Sequence, residues 1–207
     1  MPAYFSLSIE LPARPNAVRH FFSALQKNGA IFKSGFFDAQ NDSYDELIQW
    51  NQRYIEGKET GYDKKTKRSC IKQLLFDFDE FSEFRAYLSP ISDESFCVDI
   101  IVPEEDLYEY NDLGGSSPIH KKHELMDVIK NLALDIWRDT PSTAIQTAWE
   151  CSDVPPYLQE IQKNTPPMAE PFCIIPASLY KEAWKMPAVP TEKDGVLIEI
   201  PQNWFYF

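Results

Sequence analysis

Glycine is scarce in this sequence, with seven in 207 residues, and none stands in a GxGxxG or GxxxxGK(S/T) spacing. Both phosphate-cradling loops need those glycines so that backbone amides can reach the anion, and their absence argues against a nucleotide fold of either kind. Histidine is scarcer still: His20, His120 and His123 are all there are. No HExxH, HxE…PCxxC or GxSxG pattern occurs, which removes the common zinc-hydrolase, zinc-deaminase and serine-hydrolase signatures. No CxxC pair exists among Cys70, Cys97, Cys151 and Cys173. Basic residues are outnumbered, 20 Lys and Arg against 32 Asp and Glu, for a formal net charge of −12. Binding to nucleic acid or to anionic membranes relies on clustered Lys and Arg, so neither is expected. No apolar run approaches the ~20 residues of a membrane-crossing helix. Residues 1–7 show no basic stretch followed by an apolar one, so no secretory signal is expected and the expected location is cytoplasmic.

What is present is ordinary core-forming material: 43% hydrophobic residues, of which many are aromatic. That is enough to bury a core without a metal or a disulfide. The four cysteines lie in or beside strand-like runs and are expected to be reduced, with burial the default. Cys70, near Lys67, Arg68 and Lys72, has a rival reading as a thiol of lowered pKa. His120 and His123 could share a cation across a helical turn, but Lys121 and Lys122 oppose one. No metal and no cofactor are therefore expected.

Residues 3–11 alternate, Ala3, Phe5, Leu7, Ile9 and Leu11 against Tyr4, Ser6, Ser8 and Glu10, as a half-buried strand does. Val18, Phe21, Phe22 and Leu25 have helical spacing, with Asn16 as the expected cap and Gly29 as the stop. Ile31–Phe37 reads as a short strand. Ser43-Tyr44-Asp45-Glu46 is a capping-box sequence opening a helix whose inner face is expected to hold Leu47, Trp50, Tyr54 and Ile55. The basic stretch 58–68 reads as a loop or hairpin connection. Runs at 70–78, 82–89 and 95–102 read as an antiparallel meander. Residues 103–117 read as a long loop, with Ser117 and Pro118 opening a helix to about Arg138. Strands are expected at 144–151, 172–175 and 196–200, a short helix at 155–165, and a packed aromatic end at 203–207. This mixed order predicts a single α+β domain over 1–207. Its sheet is expected to be largely antiparallel, with three or four helices mainly on one face.

The charge is unevenly placed. Between Asp77 and Asp112 stand twelve acidic residues (77, 79, 80, 83, 93, 94, 99, 104, 105, 106, 109 and 112) and one basic residue, Arg85. Twelve minus one leaves −11 of the total −12 in that segment. Residues 104–113 interleave carboxylates with Leu107, Tyr108, Tyr110 and Leu113. Tyrosine gives large contact area at low entropic cost, which suits an interface. The expected partner-binding residues are Glu104, Glu105, Asp106, Tyr108, Glu109, Tyr110 and Asp112, and the expected partner is a basic protein.

The opening strand 4–11 and helix 16–28, the capped helix 43–57, the acidic meander and the aromatic closing segment 196–207 together resemble the immunity proteins of bacterial polymorphic-toxin systems. The resemblance covers the whole chain in architecture and charge. It implies a small non-enzymatic inhibitor that covers a cognate, basic toxin domain. The competing reading is a small enzyme or ligand-binding domain with an aromatic and carboxylate-lined pocket. A cleft joining His20 or His123 to an acid would favour that alternative.

Overall fold

The computed structural model of the chain describes residues 3–110 and 118–204, with backbone only at 109, 110, 118–121, 203 and 204. In chain order the elements are β1 (Tyr4–Pro12), α1 (Ala17–Lys27), β2 (Ile31–Gly35), α2 (Tyr44–Ile55), β3 (Tyr62–Asp63), β4 (Arg68–Ser69), β5 (Leu74–Asp77), β6 (Phe84–Pro90) and β7 (Ser95–Pro103). There follow α3 (Glu104–Leu107), β8 (Tyr108–Tyr110), β9 (Pro118–Lys121), α4 (His123–Asp139), β10 (Ala144–Trp149), α5 (Leu158–Gln162), β11 (Phe172–Pro176), β12 (Ala188–Thr191) and β13 (Gly195–Glu199).

Nine strands form one sheet in the order β12-β13-β11-β10-β1-β7-β6-β5-β2. Every neighbouring pair is antiparallel. The fold is α+β on a large antiparallel sheet, as the mixed element order predicts. The alternation of β1 sends Phe5, Leu7, Ile9 and Leu11 to one face, where all are buried. Phe96, Val98, Ile100 and Val102 of β7 join them there. Onto this face pack Val18, Phe21, Phe22 and Leu25 of α1, Leu47, Ile48 and Ile55 of α2, and Leu125, Met126, Ile129, Leu132, Ala133, Ile136 and Trp137 of α4. Burying each large apolar side chain contributes about 1.5–3 kcal/mol, so this layer dominates folding. The opposite face is partly covered. Ile161 of α5, Ala144, Cys173, Ile175, Val196, Ile198 and Ile200 make a second, smaller core over β10, β11 and β13. The strands β1, β7 and β6 lie beyond that cover.

Several expectations change. The helix placed at 118 begins at His123, because 118–121 is strand β9 paired with β8. A proline is tolerated at the first residue of a strand as well as at the start of a helix, so Pro118 alone does not discriminate. Part of the expected 103–117 loop is ordered: α3 and β8 run from Glu104 to Tyr110. Ser117, the expected cap, lies outside the described residues. Asn16 stands before α1 in the left-handed region (φ 61°) without a side-chain cap bond. The capping box at Ser43 forms as read, with Oγ accepting the Glu46 amide and the Glu46 carboxylate accepting the Ser43 amide at 2.8 Å. Trp50 and Tyr54 are half-buried and stack on each other (5.1 Å) at the helix margin, and Asn51 takes the inner position. Asn51 Nδ2 donates to the carbonyls of Leu47 and Lys72, so a polar residue ties α2 to the chain entering β5. β12 stands in the proline-rich stretch as an edge strand, the place where Pro190 removes no ladder bond. The closing strand ends at Glu199, followed by a 3-10 turn over Pro201–Trp204; residues 205–207 lie outside the described residues.

Candidate functional site

The second face of β1 carries Tyr4, Ser6, Ser8 and Glu10, and the antiparallel registers set what stands beside each. Across β10, Ser6 is opposite Ala148, Ser8 opposite Gln146 and Glu10 opposite Ala144. Across β7, Ser8 is opposite Asp99 and Glu10 opposite Cys97. Beyond them on β6, Tyr87 is opposite Asp99 and Ser89 opposite Cys97. These positions share one face because successive residues of a strand alternate. They floor a trough of about 380 Å³, walled on one side by residues 150–157 after β10.

Four carboxylates line this trough, Glu10, Asp99, Glu150 and Asp153, and none of its lining residues is Lys, Arg or His. The Ser8 hydroxyl donates to Asp99 Oδ1 at 2.5 Å. The Cys97 thiol donates to the same oxygen at 3.6 Å. Glu10 is only 6% exposed, and its Oε2 accepts the Leu158 amide at 2.8 Å. Gln146 fastens the wall: its Nε2 donates to the Pro156 carbonyl and its Oε1 accepts the Met168 amide.

Burial dominates the electrostatics of the trough. Burial raises the Asp99 pKa, opposed by hydrogen bonds from Ser8 and Cys97. Burial raises Glu10 likewise, opposed by the Leu158 amide. The Cys97 thiol is pushed well up by burial and then by Asp99. Tyr87 is raised by burial and by Asp99, and Tyr157 by burial and by Cys97, Asp99 and Glu10. All five groups are displaced toward their protonated forms, as desolvation and mutual repulsion require.

The residues expected to meet a partner are placed unevenly. Glu105 is exposed, on α3. Glu104 is 7% exposed, its pKa raised by burial and by Glu150. Asp106 is 9% exposed, and its Oδ2 accepts the Ser82 amide (2.8 Å) and hydroxyl (2.9 Å). Tyr108 is 4% exposed and packs on Trp149, ring centroids 5.3 Å apart. Asp106 and Tyr108 thus hold α3 and β8 to the body of the protein. The side chains of Glu109 and Tyr110, and Asp112 altogether, lie outside the described residues.

The acidic segment does not form one uniform patch. Asp93 and Glu94 occupy the β6–β7 turn, at the opposite end of the meander from the β5–β6 turn with Asp79, Glu80 and Glu83. Asp77 pairs with Lys33 at 2.9 Å. The carboxylates around α3 instead adjoin the trough. The Tyr4 amide donates to Glu150 at 3.0 Å, the Glu104 amide donates to the Ala3 carbonyl, and Glu83 and Glu150 both act on Tyr4. Glu150, which lies outside the acidic segment, joins the two.

Neither His20 nor His123 lines the trough, and both are exposed. Cys97 and Cys173 are buried, but Cys70 and Cys151 are exposed free thiols, because Cys70 lies before β5 begins and Cys151 after β10 ends. Among the described residues no group of three His, Cys, Asp or Glu is arranged for a metal ion. Nor is any helix among them long and apolar enough to cross a membrane. The acids that matter most here, Glu10 and Asp99, were legible as outward strand positions. Their register across β1 and β7 was not.

No protein-family model matches the chain, and no curated protein matches it. Among solved structures it is similar to a Pseudomonas aeruginosa T6SS protein, PA0821, at 10% identity and a TM-score of 0.45, over 95% of this chain. The chain spans 65% of that protein's length.

Proposed function

We propose that this chain is a non-enzymatic binding protein of the immunity type, whose acidic open face receives a basic toxin domain. The observation that carries the reading is the trough: every charged side chain lining it is a carboxylate, and Glu150 continues it toward α3. A field of one sign over a concave, partly desolvated surface attracts a partner of the other sign and speeds the encounter.

The neighbouring gene is expected to encode a basic toxin domain, and that domain is the partner for the binding test. Association is expected to slow at least about tenfold between about 0.1 M and 1 M salt, as the screening length falls from about 10 to about 3 Å. Glu105→Lys, at an exposed site, is expected to slow association while leaving the unfolding midpoint in place. Salt-independent association would overturn the reading.

A second reading has its own support. The trough's volume falls within the ~300–1,000 Å³ usual for small-molecule sites, and Tyr87 and Tyr157 add aromatic surface. A ligand-binding domain for a small cation would show the same charge but no protein partner.

A further inference from the structure

We propose that the trough between β10, β1, β7 and β6 is a receptor for one arginine side chain presented by the protein partner. This rests on the protein-binding reading above and deepens it by naming the group recognised. Three observations point there.

First, Glu10 is 6% exposed yet uses one oxygen only, on the Leu158 amide; Oε1 meets no hydrogen-bond donor among the described residues. A carboxylate this desolvated normally has a cationic partner, since an unpaired buried charge costs several kcal/mol. Here the space in front of it is the cavity.

Second, Asp99 stands diagonally across the β1–β7 pair from Glu10, with only Oδ1 engaged, by Ser8 and Cys97. Diagonal positions on adjacent antiparallel strands lie about 7–8 Å apart. A planar cation with donors on several edges spans that gap, whereas an ammonium is a compact point charge. The guanidinium offers five N–H donors in fixed directions, which suits two separated carboxylates with serine hydroxyls between them.

Third, Tyr87 and Tyr157 flank the same carboxylates, and a guanidinium stacks on such ring faces. Burial raises the pKa values of Glu10 and Asp99, the two acids beside the site. Filling it lowers their pKa values and releases protons.

The probe is Nα-acetyl-arginine N-methylamide, with its citrulline counterpart as the neutral isostere, followed by amide NMR and calorimetry on the whole chain. The arginine probe is expected to shift the amides of Ser8, Glu10 and Asp99 saturably and to release protons, and the citrulline probe to do neither. Glu10→Gln and Asp99→Asn together keep the Leu158 and Ser8 bonds, so the fold is expected to persist. They should weaken probe binding by about thirtyfold or more. In the complex with the toxin domain, the same pair should speed dissociation, while Glu105→Lys slows association. Equal shifts from both probes, or probe binding indifferent to the paired variant, would overturn the proposal. Slowed association in Glu105→Lys with unchanged dissociation in the paired variant would overturn the trough as receptor and leave the protein-binding reading standing. Probe binding with no toxin binding at any salt would reassign the trough to a free cation, overturning both.

Discussion

Thr147 shows how much one hydroxyl can carry when it is fully buried. Its Oγ1 donates to the Phe172 carbonyl at 2.6 Å and accepts the amides of Glu170 and Phe172 at 3.2 and 3.1 Å. Thr147→Val keeps the shape and removes all three side-chain bonds, while the Glu170 amide keeps its bond to the Thr147 carbonyl. The expected loss is about 1–3 kcal/mol in urea unfolding, with an unchanged m-value. Glu10 and Asp99 act through pH. Their folded pKa values lie above their unfolded ones, because burial disfavours the charge. The folded chain therefore binds those protons more tightly, so this contribution to stability is complete below the ordinary carboxylate range. It is lost as pH rises through the folded values. Glu10→Gln with Asp99→Asn should flatten that decline, read as unfolding free energy against pH. An unchanged slope would place the relevant titrations elsewhere. Thiol exposure gives a simple check as well: Cys70 and Cys151 should react with a thiol reagent in the native protein, while Cys97 and Cys173 react only on unfolding.

Among the elements, those with the strongest local signals formed as read. The capping box starts α2 one residue after Ser43, and Ser43→Ala is expected to cost about 0.5–2 kcal/mol, measured by chemical denaturation. The apolar spacing of α4 gives its buried face residue by residue, although its start at His123 depended on β8 and β9 pairing with each other. Pairing between segments ten residues apart is a tertiary outcome that local periodicity does not encode. Gly195 is a second case. A Cβ there would lie 2.6 Å from Trp137 Nε1, whose N–H donates to the Glu192 carbonyl at 2.9 Å. Gly195→Ala should push α4 away from β13 and cost about 1–3 kcal/mol, with Trp137 fluorescence changing in the folded state. No pattern in the sequence marks that glycine, since its constraint comes from a side chain 58 residues earlier in the chain.

For the whole molecule, amino-acid order alone determined the class of fold, the two faces of β1 and β7, the apolar faces of α1 and α4, the meander and the excess of negative charge. Each of these follows from short-range periodicity or from counting. Only the tertiary structure decided where the charge lies. Antiparallel turns send Asp93 and Glu94 to one end of the meander and Glu83 to the other, and burial removes Asp106 and Tyr108 from the surface. Registry between strands distant in sequence brings Glu10, Asp99 and Glu150 onto one trough. The physical reason is the same throughout: alternation along a strand is local, whereas the partner opposite each residue is set by which strands pair and in which register.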